Sequence, residues 1–218
     1  MKSFFITNPC SYREIGMKYK TDHLNLGAWQ THSVVNGPDE RFVLWLQGCP
    51  RRCQGCINPE FLAIEPSHEI AVDELAEKIL AVSGLEGVTY SGGEPFLQPE
   101  PLFKLSTHLH AAGLGIVCFT GYTLEALQAH SDSWIQRLLA QIDLLIDGPF
   151  EQEKVASLRW RGSHNQRLHF LTERYSKYST QPETSATEVE LVMTNNGVMA
   201  SGFWPANFLE RLTKIMER

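Results

Sequence analysis

The chain has 218 residues, of which 43% are hydrophobic, and a formal net charge of -6. A chain of this length can bury a hydrophobic core of its own, so it needs no disulfide bonds to fold. Its negative charge, with no run of Lys and Arg longer than Arg51-Arg52, argues against a nucleic-acid partner.

The amino terminus predicts neither export nor membrane insertion. Its apolar patch, Phe4 to Ile6, is too short for a signal peptide, and no stretch of about 18 apolar residues is present to span a membrane. We therefore expect a cytoplasmic protein that does not associate with membranes. In that reducing compartment, clustered cysteines indicate metal binding or catalysis rather than disulfides.

The central part of the chain alternates between two patterns. Short, nearly continuous apolar runs are typical of parallel strands that are covered on both faces, and amphipathic helical patterns separate them. The predicted strands are 42–46, 88–91, 115–120 and 142–147, and the predicted helices are 71–82, 99–112, 123–130 and 133–141. This order predicts an α/β fold with a parallel sheet, either open or curled into part of a barrel.

The two flanks depart from this alternation. Residues 1–41 are polar and irregular, with a possible strand near 24–35, and residues 174–188 have the composition of a loop or mobile linker. A hairpin turning at Asn195-Asn196-Gly197 and a final amphipathic helix from Asn207 follow. We therefore expect an extension at 1–24, a core at 25–172, and an appended loop, hairpin and helix at 173–218.

Three of the five cysteines lie on one short loop, directly after the first predicted parallel strand. Cys49, Cys53 and Cys56 have the spacing C-x3-C-x2-C. A structural zinc site normally has four ligands, whereas three thiolates on a [4Fe-4S] cluster leave one iron with an open coordination position. The spacing favours the open cluster, with zinc or inert thiols as alternatives. Cys118 lies in an apolar strand and is expected to be a core residue, and Cys10 receives no ligand role.

A second motif, Ser91-Gly92-Gly93-Glu94-Pro95, lies at the end of the next predicted strand. Adjacent glycines allow a backbone to approach a ligand closely, and the carboxylate of Glu94 can accept a hydrogen bond from an ammonium group. The alternative is a tight turn that starts the following helix.

Together, the cysteine triplet and this turn resemble the motifs of the radical S-adenosylmethionine (SAM) enzymes. Further motifs resemble the glycyl-radical-enzyme activases, and among them the activating proteins of anaerobic ribonucleotide reductase. These motifs are Asn36-Gly37-Pro38 with Arg41, Cys56-Ile57-Asn58-Pro59, Thr120-Gly121-Tyr122, Asp147-Gly148-Pro149-Phe150, and Trp160-Arg161-Gly162-Ser163 with the residues up to Gln166. The resemblance implies a partial (β/α)6-type radical SAM barrel, with a short amino-terminal extension and a carboxyl-terminal hairpin and helix.

The resemblance also implies a mechanism and a set of cofactors. Cys49, Cys53 and Cys56 would hold a [4Fe-4S] cluster, and SAM would bind its open iron. Gly92, Gly93 and Glu94 would hold the methionine ammonium group. Reductive cleavage of SAM would give methionine and a 5′-deoxyadenosyl radical, which in activases takes a hydrogen atom from a glycine Cα of a partner enzyme. The electron would come from a low-potential donor such as flavodoxin or ferredoxin.

Other residues are assigned by the same resemblance. Gly55 and Ile57 would lie on the adenine side of SAM, and Ser91 belongs to the SAM-binding turn. Asp147 would lie near the ribose and carboxylate of SAM, and Arg161 would face SAM or the client. A turn carboxylate at Asp147 and a solvated loop around Arg161 are the alternatives. Asp39 stands where the activases usually carry glycine, but aspartate tolerates positive φ, so the turn can be retained.

Three functions are compatible with these motifs. The first is an oxygen-sensitive activase that generates a glycyl radical on a partner. The second is a radical SAM enzyme that acts directly on a peptide or small metabolite. The third, from another class, is a zinc or iron–sulfur binding module without catalysis.

Overall fold

A computed structural model describes residues 9, 15, 20–181, 188–194, 197–203 and 208–216. Cys10, most of the predicted extension and the hairpin tip at Asn195-Asn196 lie outside these residues. In chain order the strands are β1 (His23–Ser33), β2 (Arg41–Leu46), β3 (His68–Ala71), β4 (Gly87–Gly92), β5 (Gly115–Phe119), β6 (Leu144–Asp147), β7 (Val155–Leu158), β8 (Arg161–Ser163), β9 (Arg167–Phe170), β10 (Val189–Thr194) and β11 (Gly197–Gly202). The helices are α1 (Val72–Leu80), α2 (Pro99–Ala111), α3 (Leu124–Gln128), α4 (Ser133–Leu139) and α5 (Phe208–Met216).

The main sheet of the described residues has seven strands in the order β3-β1-β2-β4-β5-β6-β9. The four central strands, β2, β4, β5 and β6, run parallel to one another, and β1, β3 and β9 add antiparallel strands at the edges. The predicted α/β fold and all four predicted parallel strands are therefore confirmed. The parallel strands in the described residues number four rather than the six of the expected barrel, because antiparallel strands extend the sheet on both sides.

The central strands are mostly apolar because both faces of the sheet are covered. On one face, α1, α2 and α4 pack on residues such as Leu44, Tyr90 and Cys118, all of which are fully buried. On the other face, Val117, Leu144 and Ile146 pack against later parts of the chain. Burying each such aliphatic side chain stabilises the fold by about 1.5–3 kcal/mol. The prediction that Cys118 is a core residue is confirmed.

Part of the segment predicted as a loop or linker is folded. Residues Glu173–Tyr178 form a 3-10 helix, and Tyr175 is only 1% exposed. Its hydroxyl donates a hydrogen bond to the carboxylate of Glu86 and accepts one from the guanidinium of Arg41. The polar composition was misleading because single side chains hold the segment, rather than an apolar face. Besides Tyr175, the guanidinium of Arg174 donates to Glu86 and to the carbonyl of Gly113.

Two other features of the fold bear on the predictions. Asp39 has a φ of 58°, so the expectation that aspartate can hold this turn in place of glycine is confirmed. The predicted hairpin forms as β10 and β11, and the predicted final helix forms as α5. No helix in the described part of the chain is long and apolar enough to cross a membrane.

Candidate functional site

The carboxyl ends of the parallel strands are connected by main-chain hydrogen bonds between the loops that follow them. The amide of Gly93 donates to the carbonyl of Leu46 at 2.7 Å, and the amide of Glu94 donates to the carbonyl of Gly48 at 2.9 Å. On the other side, the amide of Gly148 donates to the carbonyl of Tyr122 at 2.9 Å. The cysteine loop therefore begins at a point that is fixed against the Ser91–Glu94 turn.

Close packing explains why both Gly92 and Gly93 are glycines. Gly92 has a φ of 91°, and a Cβ atom there would lie 2.5 Å from the amide nitrogen of Leu46. A Cβ atom at Gly93 would lie 2.2 Å from the carbonyl oxygen of Gly48. The motif thus allows the turn to approach the start of the cysteine loop, a role that the sequence alone did not reveal.

A cavity of about 180 Å³ opens at this edge of the sheet. Most of the residues that the sequence singled out line it. They are Cys49, Cys53, Cys56, Ile57, Ser91, Gly92, Gly93 and Glu94. The structure therefore brings the cysteine loop and the glycine turn together around one space.

Gly55, Asp147 and Arg161, all within the described residues, are not among those that line the cavity. Gly55 has a φ of 72° and forms a turn of the cysteine loop. Asp147 is fully buried, and its carboxylate accepts hydrogen bonds from the amide of Leu124 at 2.7 Å and from the guanidinium of Arg167 at 3.0 Å. The guanidinium of Arg161 donates to the carbonyl of Gln166 at 3.3 Å. Asp147 thus connects the start of α3 to β9, whereas Arg161 holds Gln166, which itself lines the cavity.

The three thiols line the same cavity but differ in burial, since Cys49 is buried and Cys53 and Cys56 are partly exposed. Burial, with a smaller contribution from the nearby carboxylate of Glu94, raises the pKa of the Cys49 thiol to about 12. Burial also raises the pKa of the Cys56 thiol. Thiolates are the form that binds metal, so loading the site must release these protons. Among the described residues, no group of three His, Cys, Asp or Glu side chains is already arranged as a metal site.

The chemistry of this donor set nevertheless fits an iron–sulfur cluster with an open iron. Three soft thiols from one loop face the cavity, and no histidine is among the described residues that line it. A closed zinc site of the Cys and His type would need a fourth such ligand here. Cys118 is buried in β5 and lies outside this group, as expected.

Glu94 is the most buried charged residue of the cavity, with 1% exposure. Its carboxylate accepts hydrogen bonds from the amide of Phe96 at 3.0 Å, the hydroxyl of Thr120 at 2.8 Å and the amide of Gly121 at 2.9 Å. Burial raises the pKa of Glu94 despite these hydrogen bonds and the nearby guanidinium of Arg51. The carboxylate thus connects the glycine turn to the loop after β5.

Several residues of the cavity wall were not assigned to the site from the sequence. Asn36, Thr120, Gly121, Phe150 and Gln166 belong to motifs that had been noticed only as part of the family resemblance. The wall also includes Met199 to Phe203, which are the last four residues of β11 and the residue after it. No sequence signal connected that hairpin with the site, since its pattern indicates only two paired strands.

Comparisons with known proteins agree with this site. Residues 35–169 match the family model described as "4Fe-4S single cluster domain". The chain is 34% identical over 160 residues to the anaerobic ribonucleoside-triphosphate reductase-activating protein of Vibrio cholerae, in an alignment that covers 68% of this chain and 99% of that protein. It is 42% identical over 97 residues to the pyruvate formate-lyase-activating enzyme of Staphylococcus epidermidis, covering 41% of this chain and 38% of that enzyme.

Among solved structures, the chain has a weak likeness to QueE from Escherichia coli. The TM-score is 0.35 at 19% sequence identity, with 45% of this chain and 52% of that chain covered.

Proposed function

Because the chain belongs to the 4Fe-4S single cluster domain family, together with the anaerobic ribonucleoside-triphosphate reductase-activating proteins, we propose that it is a radical SAM activating enzyme. It cleaves SAM reductively to methionine and a 5′-deoxyadenosyl radical. That radical takes a hydrogen atom from a glycine Cα on a partner enzyme such as anaerobic ribonucleotide reductase. The products are 5′-deoxyadenosine and a glycyl radical on the partner.

One observation carries this proposal. Cys49, Cys53 and Cys56 line the same cavity as Ser91 to Glu94, at the carboxyl ends of neighbouring parallel strands. Ligand sites of parallel sheets lie at this edge. The cavity therefore combines three thiol ligands with a turn that offers main-chain groups and one carboxylate.

The residues of the chain have distinct roles in this proposal. The three cysteines hold the [4Fe-4S] cluster, which when bound supplies the electron for cleavage of SAM. A carboxylate offers about four acceptor sites, and Glu94 uses three of them within the protein, so one remains for an ammonium group. Phe119 and Phe150 add apolar surface to the cavity, which helps to exclude water.

The finer parts of the proposal follow the family resemblance. We propose that the four parallel strands form the wall of a partial radical SAM barrel within 25–172, flanked by an extension at 1–24 and an appended region at 173–218. Ile57 and Ser91 contact SAM, and Gly55 shapes the cysteine loop around it. For Asp147 and Arg161 we propose a supporting role, because their polar groups bind neighbouring loops. A low-potential donor such as flavodoxin or ferredoxin supplies the electron for cleavage of SAM. The enzyme works in the cytoplasm.

The first experiment tests the chemistry. Anaerobic reconstitution with iron and sulfide is expected to give a brown protein that converts SAM to 5′-deoxyadenosine in the presence of dithionite. Cys53→Ala should lose bound iron and this product, whereas Cys118→Ala should keep both, since Cys118 lies in the core. A colourless protein that binds zinc and forms no 5′-deoxyadenosine would exclude both enzymatic functions.

A second experiment tests the partner. The reconstituted enzyme is incubated with SAM, dithionite and a purified anaerobic ribonucleoside-triphosphate reductase, and the mixture is examined by EPR. We expect the doublet of a glycyl radical, and this doublet splitting should be lost when the reductase carries glycine deuterated at Cα. If 5′-deoxyadenosine forms but no radical appears on a glycyl radical enzyme, the activase function is wrong. The result would then favour the second function, direct action on a peptide or small metabolite.

A further inference from the structure

The hairpin of β10 and β11 is not part of the region that defines the family. It lies beyond residues 35–169, which match the family model. It nevertheless supplies five consecutive residues of the cavity wall, Met199 to Phe203. A feature added to the common core therefore borders the proposed reaction site.

Polar contacts fix the position of the hairpin on the body of the protein. The carboxylate of Glu190 accepts hydrogen bonds from the amide of Val34 at 2.7 Å and from the side chain of Gln30 at 3.0 Å. The side-chain amide of Asn36 donates to the hydroxyl of Ser201 at 2.9 Å. One face of the hairpin is thus held against the end of β1 and the turn that follows it.

The cavity meets the edge of β11 rather than one of its faces. Successive side chains of a strand point to opposite faces. A strand that presented a face to the cavity would contribute alternate residues, whereas β11 and the residue after it contribute five in succession. No residue of β10 that the structure describes lines the cavity.

The pairing register shows which main-chain groups lie on that edge. The amide of Phe203 donates to the carbonyl of Glu188 at 2.8 Å, and Ser201 and Met199 pair with Glu190 and Val192. In an antiparallel pair, hydrogen-bonded and non-hydrogen-bonded residues alternate, so the main chain of Ala200 and Gly202 points away from β10. No other described residue forms a hydrogen bond with these amides and carbonyls.

We propose that the edge of β11, which the described residues leave unpaired, binds an extended segment of the partner protein as an added strand. The proposal rests on the proposed function, since it concerns how the glycine-bearing segment is presented to the site. Main-chain donors and acceptors recognise an extended backbone, which is the mode of β-strand addition. Such a segment lies along the cavity wall, and a glycine in it leaves its Cα without a side chain between it and the cavity.

Other occupants of this edge fit less well. A small metabolite would leave most of the row of amides and carbonyls unpaired, and buried unpaired groups cost about 1–3 kcal/mol each. An extended peptide satisfies them in pairs at the spacing of the strand. The bound segment would run antiparallel or parallel to β11, and either direction places its backbone beside Ala200 and Gly202.

The test compares two proline variants on opposite edges of the hairpin. Ala200→Pro removes an outward amide on the cavity side, and Leu191→Pro does the same on β10, directly across from it. Neither change removes a hydrogen bond between β10 and β11, and proline is tolerated on edge strands.

The probe is a fluorescein-labelled peptide of about eleven residues, with one central glycine between Thr, Val and Ser residues. Binding to the full-length reconstituted protein with SAM is measured by fluorescence anisotropy.

We expect Ala200→Pro to weaken peptide binding at least about tenfold, and Leu191→Pro to leave it unchanged. A second peptide tests strand pairing on the unaltered protein, so its result does not depend on whether the variants fold. The same peptide with alternate N-methylated amides should bind the unaltered protein at least about tenfold more weakly, because it cannot pair with a strand.

Two results would overturn the proposal. The first is that Ala200→Pro binds the peptide as tightly as Leu191→Pro does, and that the N-methylated peptide binds as tightly as the unmodified one. The second is that the unmodified peptide does not bind at millimolar concentration. Formation of 5′-deoxyadenosine from SAM by the unaltered protein is measured alongside. Its loss would contradict the proposed function, whereas its presence together with either overturning result would reject the strand addition alone.

Discussion

The carboxylate of Glu94 accepts a hydrogen bond from the hydroxyl of Thr120, at 2.8 Å, although the two residues follow different strands of the sheet. A second hydrogen bond, from the amide of Gly121 at 2.9 Å, strengthens the same connection. Glu94 therefore stabilises the edge of the sheet in addition to any contact with a ligand.

Replacing Glu94 by Gln should destabilise the protein before any cofactor is added. The amide group of Gln would place a donor opposite the amide of Phe96 or of Gly121, and a buried unpaired donor costs about 1–3 kcal/mol. Urea unfolding of the cofactor-free protein measures this loss. Glu77→Gln, on the exposed face of α1, is the control and should leave the midpoint unchanged. A midpoint for Glu94→Gln equal to that of the control would mean that Glu94 has no structural role.

Arg41 is expected to be one of the most sensitive positions far from the site. Its fully buried guanidinium donates hydrogen bonds to Thr89, Glu86, Tyr175 and the carbonyls of Pro38, Val88 and Gly115. Arg41→Met would remove the guanidinium from all of these buried groups, although Glu86 would keep other donors, from Tyr175 and Arg174. The expected cost is about 3–5 kcal/mol in the free energy of unfolding. Guanidinium chloride unfolding is the measurement, with the exposed Arg137→Met as control. A loss no larger than that of the control would contradict this account.

A variant of Asp147 distinguishes a structural role of this residue from a contact with SAM. If it supports the fold, Asp147→Asn should lower the unfolding midpoint, because the carboxylate holds Arg167 and the first turn of α3. The affinity of the reconstituted protein for SAM, measured by equilibrium dialysis, should then change less than about threefold. A large loss of SAM affinity at unchanged stability would instead support the contact with SAM that the family resemblance suggested.

Asp143 should make the stability of the cofactor-free protein depend on pH. Burial alone would raise the pKa of this carboxyl, but hydrogen bonds from His110, the amide of Ile116 and Thr172 outweigh it and lower the pKa. Because the folded pKa lies below the ordinary value of 3.8, the stabilisation is fully present above pH 3.8 and is lost as the pH falls through the folded pKa.

The variant Asp143→Asn tests this dependence. It should be less stable than the unaltered protein at pH 7, and the difference between the two should shrink as the pH falls below 3.8. Urea midpoints at a series of pH values measure it. A difference that stays constant across the series would show that the charge of Asp143 does not matter.

The sequence allowed the parallel strands and most of the site to be predicted, because both depend on local patterns. The apolar run at 42–46 and the cysteines directly after it place the thiols at a strand end without knowledge of the remaining chain. Ser91 to Glu94 follow the neighbouring strand in the same way. Residues at the carboxyl ends of adjacent parallel strands are necessarily close, so the shared cavity follows from the order of the strands.

The features that the sequence did not reveal depend on long-range contacts. Tyr175 is buried because Arg41 and Glu86 bind its hydroxyl, and both lie at least 89 residues away in the chain. The approach of β11 to the cavity depends on Glu190 and Ser201 reaching β1 and Asn36. Single polar residues of this kind produce no periodic pattern, so composition suggested only a linker and a separate hairpin.

The hydrogen bond from the amide of Glu94 to the carbonyl of Gly48 has a consequence for redesign of this protein. It sets the origin of the cysteine loop relative to the glycine turn through backbone atoms, which substitutions do not remove. The positions between Cys49 and Cys53 can therefore be varied while the loop keeps its anchor, within two limits. Arg52 has a φ of 51°, which Asn, Asp and Gly tolerate best, and the guanidinium of Arg51 packs over the ring of Tyr122. A library restricted to Pro50, Arg51 and Arg52 would vary the surroundings of the thiols, and with them the reduction potential of a bound cluster, on an otherwise constant scaffold.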